Sequence, residues 1–331
     1  MERFALAAAV VLGFALTAAL CSLFVPLRRV LERREQQQQP VQSEQPRPAP
    51  LRAPLWGGLC AAAGTVAAVG VGWLAACVGQ PELLGSEGRL MTRLLTALAG
   101  SLAFGAVGLA EDVARMRSPA ALGLRRDLRL LLEALAAAFV LLLLRAAGCL
   151  PRGLGVPGAG YVLLGSAVPF LWAVLMVALA ECARIAERDE GAVCGAAFVA
   201  MLALMMVEAG LGVSGLAVLP GALAGALVAL GLWAFPPARL GVGCCGSLLA
   251  AGAIGCIPLS LDMTSLTVPL ALPFWAAGGL LAAQLLCAKR TGKPLRCWVK
   301  KHKMSPETVF LCSFALSAVG YVLALALLRW C

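Results

Sequence analysis

The sequence predicts an all-α, polytopic integral membrane protein, and three observations carry that prediction. Its 331 residues are 61% hydrophobic and 13% charged, with a mean hydropathy of +0.90. Soluble domains carry about twice that charged fraction. The apolar residues gather in runs of about 20, the length at which a helix crosses a hydrocarbon core of roughly 30 Å. The charged residues fall almost entirely in the short links between those runs.

Taken in order, the runs cover residues 4–27, 55–78, 91–110, 130–148, 159–181, 192–209, 212–234, 244–262, 266–288 and 308–328. They predict about ten transmembrane helices in one membrane domain spanning 1–331. The first run is longer than a signal-peptide core and lacks a basic start, so it reads as an anchor. Residues 28–54, LRRVLERREQQQQPVQSEQPRPAP and its flanks, are rich in Arg, Gln and Pro. That composition predicts a cytoplasmic, partly disordered loop.

Placing that loop in the cytoplasm fixes the other loops by alternation. Of the 27 Lys and Arg, 21 then face the cytoplasm, in the loops near 28–54, 111–129, 182–191, 235–243 and 289–306. This bias predicts a multi-pass protein of a bacterial-type inner (cytoplasmic) membrane with both termini outside the cytoplasm. It also accounts for the net charge of +10 without nucleic acid as a partner. The polybasic 289–306 loop is instead suited to anionic membrane lipids. Ionisable residues within the runs, such as Arg93, Glu133, Arg145, Glu181 and Glu208, lie near their ends. Ion-coupled transport, which places charge at mid-membrane, is therefore disfavoured, and chemistry belongs on the cytoplasmic face. The thirteen cysteines are scattered, with no CxxC pair, and read mostly as small buried apolar side chains.

Four cytoplasmic loops carry residues with chemical potential. Glu111-Asp112 closes the third run, and adjacent carboxylates are candidate Mg²⁺ ligands. Arg115 follows Asp112 by three residues, on nearly the same face of a continuing helix. The second loop reads Glu181-Cys-Ala-Arg184-Ile-Ala-Glu187-Arg188-Asp189-Glu190-Gly191, with Glu187 and Glu190 spaced to face one way. In the third, Gly241, Gly243 and Gly246 permit close approach of a ligand, and a helix starting near Ser247 offers an anion its N-terminus. The fourth holds seven basic residues and the single histidine, His302. Each loop is also compatible with ordinary solvated ends of helices.

In order and spacing, these segments resemble the phospho-N-acetylmuramoyl-pentapeptide transferase (MraY) family, within the polyprenyl-phosphate hexose-1-phosphate transferases of glycosyltransferase family 4. Pro54-Leu-Trp-Gly57-Gly58 is similar to the family's PTMGG, and Gly108-Leu-Ala-Glu111-Asp112-Val-Ala-Arg115 to GxxDDxxK. Gly123-Leu124, Arg129 and Glu133 stand in the register of GLxxxxKxxxQ. Pro237 to Leu248 fits PAxxxxGDxGSL without a gap, with Cys244 in place of its Asp. Thr291-Gly-Lys293 resembles TGK, and His302 falls at the first position of an HHH motif. The 181–191 loop departs furthest from the family's NxxNLxDGLDG, losing both asparagines and carrying Glu187 and Glu190 for its aspartates.

The resemblance implies a transferase that moves a phospho-amino-sugar from a UDP-sugar to undecaprenyl phosphate, releasing UMP, in cell-envelope or peptidoglycan precursor synthesis. It further implies Mg²⁺ at Asp112 and Glu111, with Asp112, Glu111, Glu187, Glu190 and His302 in the catalytic set. Arg115, Arg129, Gly243, Gly246 and Ser247 would bind the phosphates. Cys244 removes a carboxylate from that set, which motivates an alternative. On that alternative the protein is a catalytically degenerate relative that binds polyprenyl lipid or nucleotide, or scaffolds envelope enzymes.

Overall fold

The computed structural model describes residues 2–38, 56–79, 88–117, 123–151, 153–156, 160–163, 165, 167–187, 190–213, 215–235, 238–291 and 306–330. Its helices are α1 (Glu2–Gln38), α2 (Gly57–Gly79), α3 (Gly88–Arg117), α4 (Arg126–Ala146), α5 (Ala167–Ala186) and α6 (Glu190–Gly210). They continue with α7 (Val218–Ala234), α8 (Gly243–Ser260), the short α9 (Thr267–Leu270), α10 (Leu272–Thr291) and α11 (Pro306–Trp330). A 3₁₀ turn, Thr264–Leu266, precedes α9. The all-α membrane architecture holds, with one small addition among the described residues, between α4 and α5. There, β1 (Gly153–Val156) and β2 (Gly160–Leu163) form an antiparallel hairpin, with Gly153 opposite Leu163.

The core of the molecule is α8. All of Gly243–Ser260 is buried, and small residues let its neighbours approach on several sides, as in other membrane bundles. Gly246 meets α2 at Gly58, Gly252 meets Ser101 and Phe104 of α3, and Gly255 meets Met176 of α5. Trp172 on α5 donates its indole N–H to the Gly255 carbonyl at 3.3 Å. A second Gly/Ala-rich helix, α7, packs against α1, α2 and α6, and α11 lies outside α6. Outward faces are apolar: Leu135, Phe139 and Leu142 form an exposed stripe on α4, and Phe170, Leu171 and Val174 one on α5. Such faces suit lipid chains, which can satisfy them without burial in protein.

By length and composition, seven helices among the described residues can cross a membrane, or eight if the bent α9–α10 pair is one span. The expected count of about ten is not confirmed among the described residues, for identifiable reasons. Arg129, Glu133 and Arg145 lie within α4, and α7 is 17 residues long. The run expected at 266–288 is bent by 64° between α9 and α10. The run expected at 159–181 is divided, with β2 occupying its first part and α5 beginning at Ala167. Helix α1 continues past the expected loop start at residue 28 as far as Gln38, and 39–55 lie outside the described residues.

Candidate functional site

The last turns of α3 and α5 and the first turns of α2, α4 and α8 meet at one end of the bundle. The start of α8 is docked first by backbone: Gly57 and Gly58, opening α2, donate their N–H groups to the carbonyls of Gly241 (3.1 Å) and Val242 (3.0 Å). Gly243 has φ +69°, a conformation that glycine adopts at little cost, and it turns the chain into α8. On the other side, Gly108 of α3 touches the Cys244 carbonyl. The glycines read as room for a ligand therefore serve, in this arrangement, to bring three stretches of backbone together.

That packing delivers Asp112 to the helix start. Its Oδ1 accepts the N–H of Cys244 at 3.0 Å and its Oδ2 the N–H of Cys245 at 2.9 Å. Helices leave their first N–H groups unpaired, and these attract negative charge. The sequence suggested that a helix near Ser247 would receive an anion. The helix begins at Gly243 instead, and the anion it receives is the protein's own Asp112. Ser247 is buried and donates its hydroxyl back to the Cys244 carbonyl at 3.1 Å.

From Asp112 the site extends as a chain of alternating charges. Cys244 donates its thiol to Glu187 at 2.8 Å. Arg115 grips Glu187 with one nitrogen, 3.0 and 3.2 Å from its two oxygens, and holds Glu111 with the other at 2.9 Å. Arg129 of α4 lies 3.7 Å from Glu111 and bonds Glu181 of α5 at 2.7 Å. Arg184 closes the chain on Glu181, also at 2.7 Å. Beside it, Glu133 is fully buried with neither carboxylate oxygen hydrogen-bonded. Glu111 Oε2 is likewise buried without a partner.

The structure thus unites Glu111, Asp112, Arg115, Arg129, Glu187 and Cys244, but not in every expected role. Consecutive residues on a helix point about 100° apart. Asp112 accordingly faces α8 while Glu111 faces the arginines, so the two carboxylates do not converge on one ion. Arg115 and Arg129, expected to hold phosphates, are engaged by carboxylates. Gly243 makes the buried turn into α8, and Gly246 is packed against Gly58 of α2. Glu190 starts α6, its side chain falling outside the described residues, as does all of His302. Glu181 and Arg184 enter the network although the sequence assigned them no part. Their signal was present as an i, i+3 charge pair beside Glu187.

The ligand atoms of Asp112, Glu187 and Cys244 lie within 4.8 Å of one another. They do not fit Mg²⁺, which demands near-octahedral oxygen coordination. One corner is a thiol, a soft donor, and Arg115 already spans both oxygens of Glu187.

The model of glycosyl transferase family 4 matches residues 94–262, just over half of the chain. The protein belongs to glycosyl transferase family 4. The matched segment runs from within α3 to the turn after α8 and contains the whole charged chain, from Glu111 to Cys244. No curated protein matches this family 4 member. Membership supports a transferase of the kind that joins sugar phosphates to polyprenyl phosphates from nucleotide sugars, in a protein with several membrane-crossing helices.

Proposed function

We propose that this protein moves a phospho-amino-sugar, such as phospho-N-acetylmuramoyl-pentapeptide, from a UDP-sugar to undecaprenyl phosphate with release of UMP. The reaction takes place at the cytoplasmic face of a bacterial-type inner membrane, with both termini on the opposite side. The single observation behind this reading is the seating of Asp112. Its carboxylate is held by the two α8 amides next to Arg115 and Glu187, inside the segment that defines the family.

In the reaction, an oxygen of the lipid phosphate attacks the sugar-bearing phosphorus of the UDP-sugar. The new P–O bond forms as the bond to the UMP oxygen breaks, and UMP leaves with that electron pair. Negative charge grows on UMP, and the available cations are Arg115, Arg129 and Arg184. Each exchanges a carboxylate partner for a phosphate oxygen, a substitution that the planar guanidinium fork accommodates. Glu187, released from Arg115, takes the proton of a singly ionised lipid phosphate. Glu190 and His302 complete the reading, with His302 on the nucleotide side, and the polybasic 289–306 loop holds anionic lipid.

The test is UMP release by the purified, folded, full-length protein supplied with undecaprenyl phosphate and a panel of UDP-amino-sugars. Release with one donor supports the proposal, and its absence across the panel overturns it. A second reading, a degenerate relative that binds polyprenyl lipid or nucleotide or scaffolds other enzymes, is favoured by the Cys244 thiol at the position of the family's carboxylate. Cys244→Asp separates the two. UMP release that only the variant shows marks the natural protein as the degenerate form.

A further inference from the structure

Three features of the site bear on how it handles charge. Asp112 has both oxygens committed to backbone N–H groups. Glu187 has both oxygens within hydrogen-bonding reach of Arg115, one of them also receiving the Cys244 thiol. Arg115 itself bridges Glu187 and Glu111 and is largely buried, its side chain 18% exposed. A guanidinium is charged at every accessible pH and cannot be removed by chelation. It occupies the anionic side of the cluster where a hard cation would need its oxygen ligands.

We propose that this site holds its phosphate ligands without a bound divalent cation: Arg115, anchored by Glu111 while it exchanges Glu187 for phosphate, supplies the positive charge, and Cys244 keeps the metal out. The identity of the ligands rests on the transferase reading, whereas the exclusion of the metal rests on the donor set alone. Cys244 acts in two ways. It withdraws an oxygen ligand, and its S–H points into Glu187, leaving that carboxylate oriented toward Arg115 and the thiol.

The experiment titrates the full-length protein in detergent with Mn²⁺, read by electron paramagnetic resonance, and with Mg²⁺, read by thermal unfolding. The wild type is expected to bind no ion that Asp112→Asn abolishes, and EDTA is expected to leave its unfolding midpoint unchanged. A stoichiometric ion lost in Asp112→Asn overturns the proposal. Cys244→Asp is expected to gain one bound ion and a midpoint that climbs with the logarithm of Mg²⁺ concentration. A folded Cys244→Asp that gains neither refutes the role given to Cys244. Arg115→Gln provides a variant with no added buried charge. Its loss of stability is expected to persist in Mg²⁺ because Cys244 remains, whereas Mg²⁺ should recover part of the stability lost in Arg115→Gln/Cys244→Asp, and a double variant indifferent to Mg²⁺ refutes Arg115 as the source of charge. UMP release only in the presence of Mg²⁺ sinks this inference and leaves the transferase reading intact. No UMP release from a protein that also binds no metal does the reverse.

Discussion

Gly108 on α3 sits against the carbonyl oxygen of Cys244 at the start of α8, with no room between them for a methyl group. Four residues later, one turn along the same helix, Asp112 receives the Cys244 and Cys245 amides. The close approach and the hydrogen bonds are therefore one construction. Gly108→Ala should force α3 and α8 apart, costing about 1–3 kcal/mol as overpacking does. UMP release should fall with it, because the amides retreat from Asp112. Chemical denaturation beside the UMP assay checks both, and a variant of full stability and activity contradicts the arrangement.

Asp112→Asn keeps the size of the side chain but turns one acceptor into a donor. That donor faces an amide N–H in a buried site, so one hydrogen bond becomes a clash of like groups. Hydrogen bonds to charged groups contribute roughly 1.5–3 kcal/mol, and a loss of that order is expected in unfolding experiments. UMP release should be abolished. Unchanged turnover in a folded Asp112→Asn protein would remove Asp112 from the chemistry.

Arg115 and Glu187, separated by 72 residues in the chain, form the contact between α3 and the end of α5. Removing one partner of a buried ion pair strands the other and costs about 3–5 kcal/mol. Arg115→Gln and Glu187→Gln should each destabilise strongly. The double variant should lose less than the two losses added together, because Glu187 is no longer charged beside a missing Arg115, while Glu111 keeps Arg129 at 3.7 Å. Additive losses in that cycle would show that the pair is not coupled.

Tyr161 on the hairpin donates its hydroxyl to Asp262 Oδ2 at 2.8 Å, beside the ends of α5 and α8 opposite to those that carry the charged cluster. Desolvation and then the bond to Asp262 push the Tyr161 pKa above the ordinary tyrosine value. A raised pKa in the folded state means that the contribution to stability is complete below the unfolded value of about 10. It disappears as pH rises through the folded value. The absorbance of tyrosinate should show this late transition, and Tyr161→Phe should erase it while leaving UMP release unchanged. The chain has two tyrosines, which keeps the signal separable.

The sequence and the structure agree most where an interaction is local. Asp112 and Arg115 were legible because helical spacing places them on neighbouring faces, and α3 continues through both to Arg117. Glu187 stood out by the charge density of its loop. The partners were not legible. Nothing in the sequence around residue 244 shows that its amides meet Asp112, 132 residues away in the chain. Arg129 carries no mark that it bonds Glu181 rather than a phosphate. The hairpin at 153–163 escaped for a different reason: Gly-Leu-Gly-Val and Gly-Tyr-Val-Leu are as apolar as a span, and hydropathy does not distinguish a strand from a helix. The bend between α9 and α10 is hidden in the same way.

The position of α8 has a consequence for the membrane itself. A span ordinarily reports the bilayer around it, tilting or shifting as lipid thickness changes. Helix α8 exposes none of its residues and has no surface on which lipid can act, whereas α5 and α11 carry the outward apolar faces. The amides that orient Asp112 are thus set by protein alone. Variations in chain length or saturation act on the periphery and leave the geometry of the centre as it was.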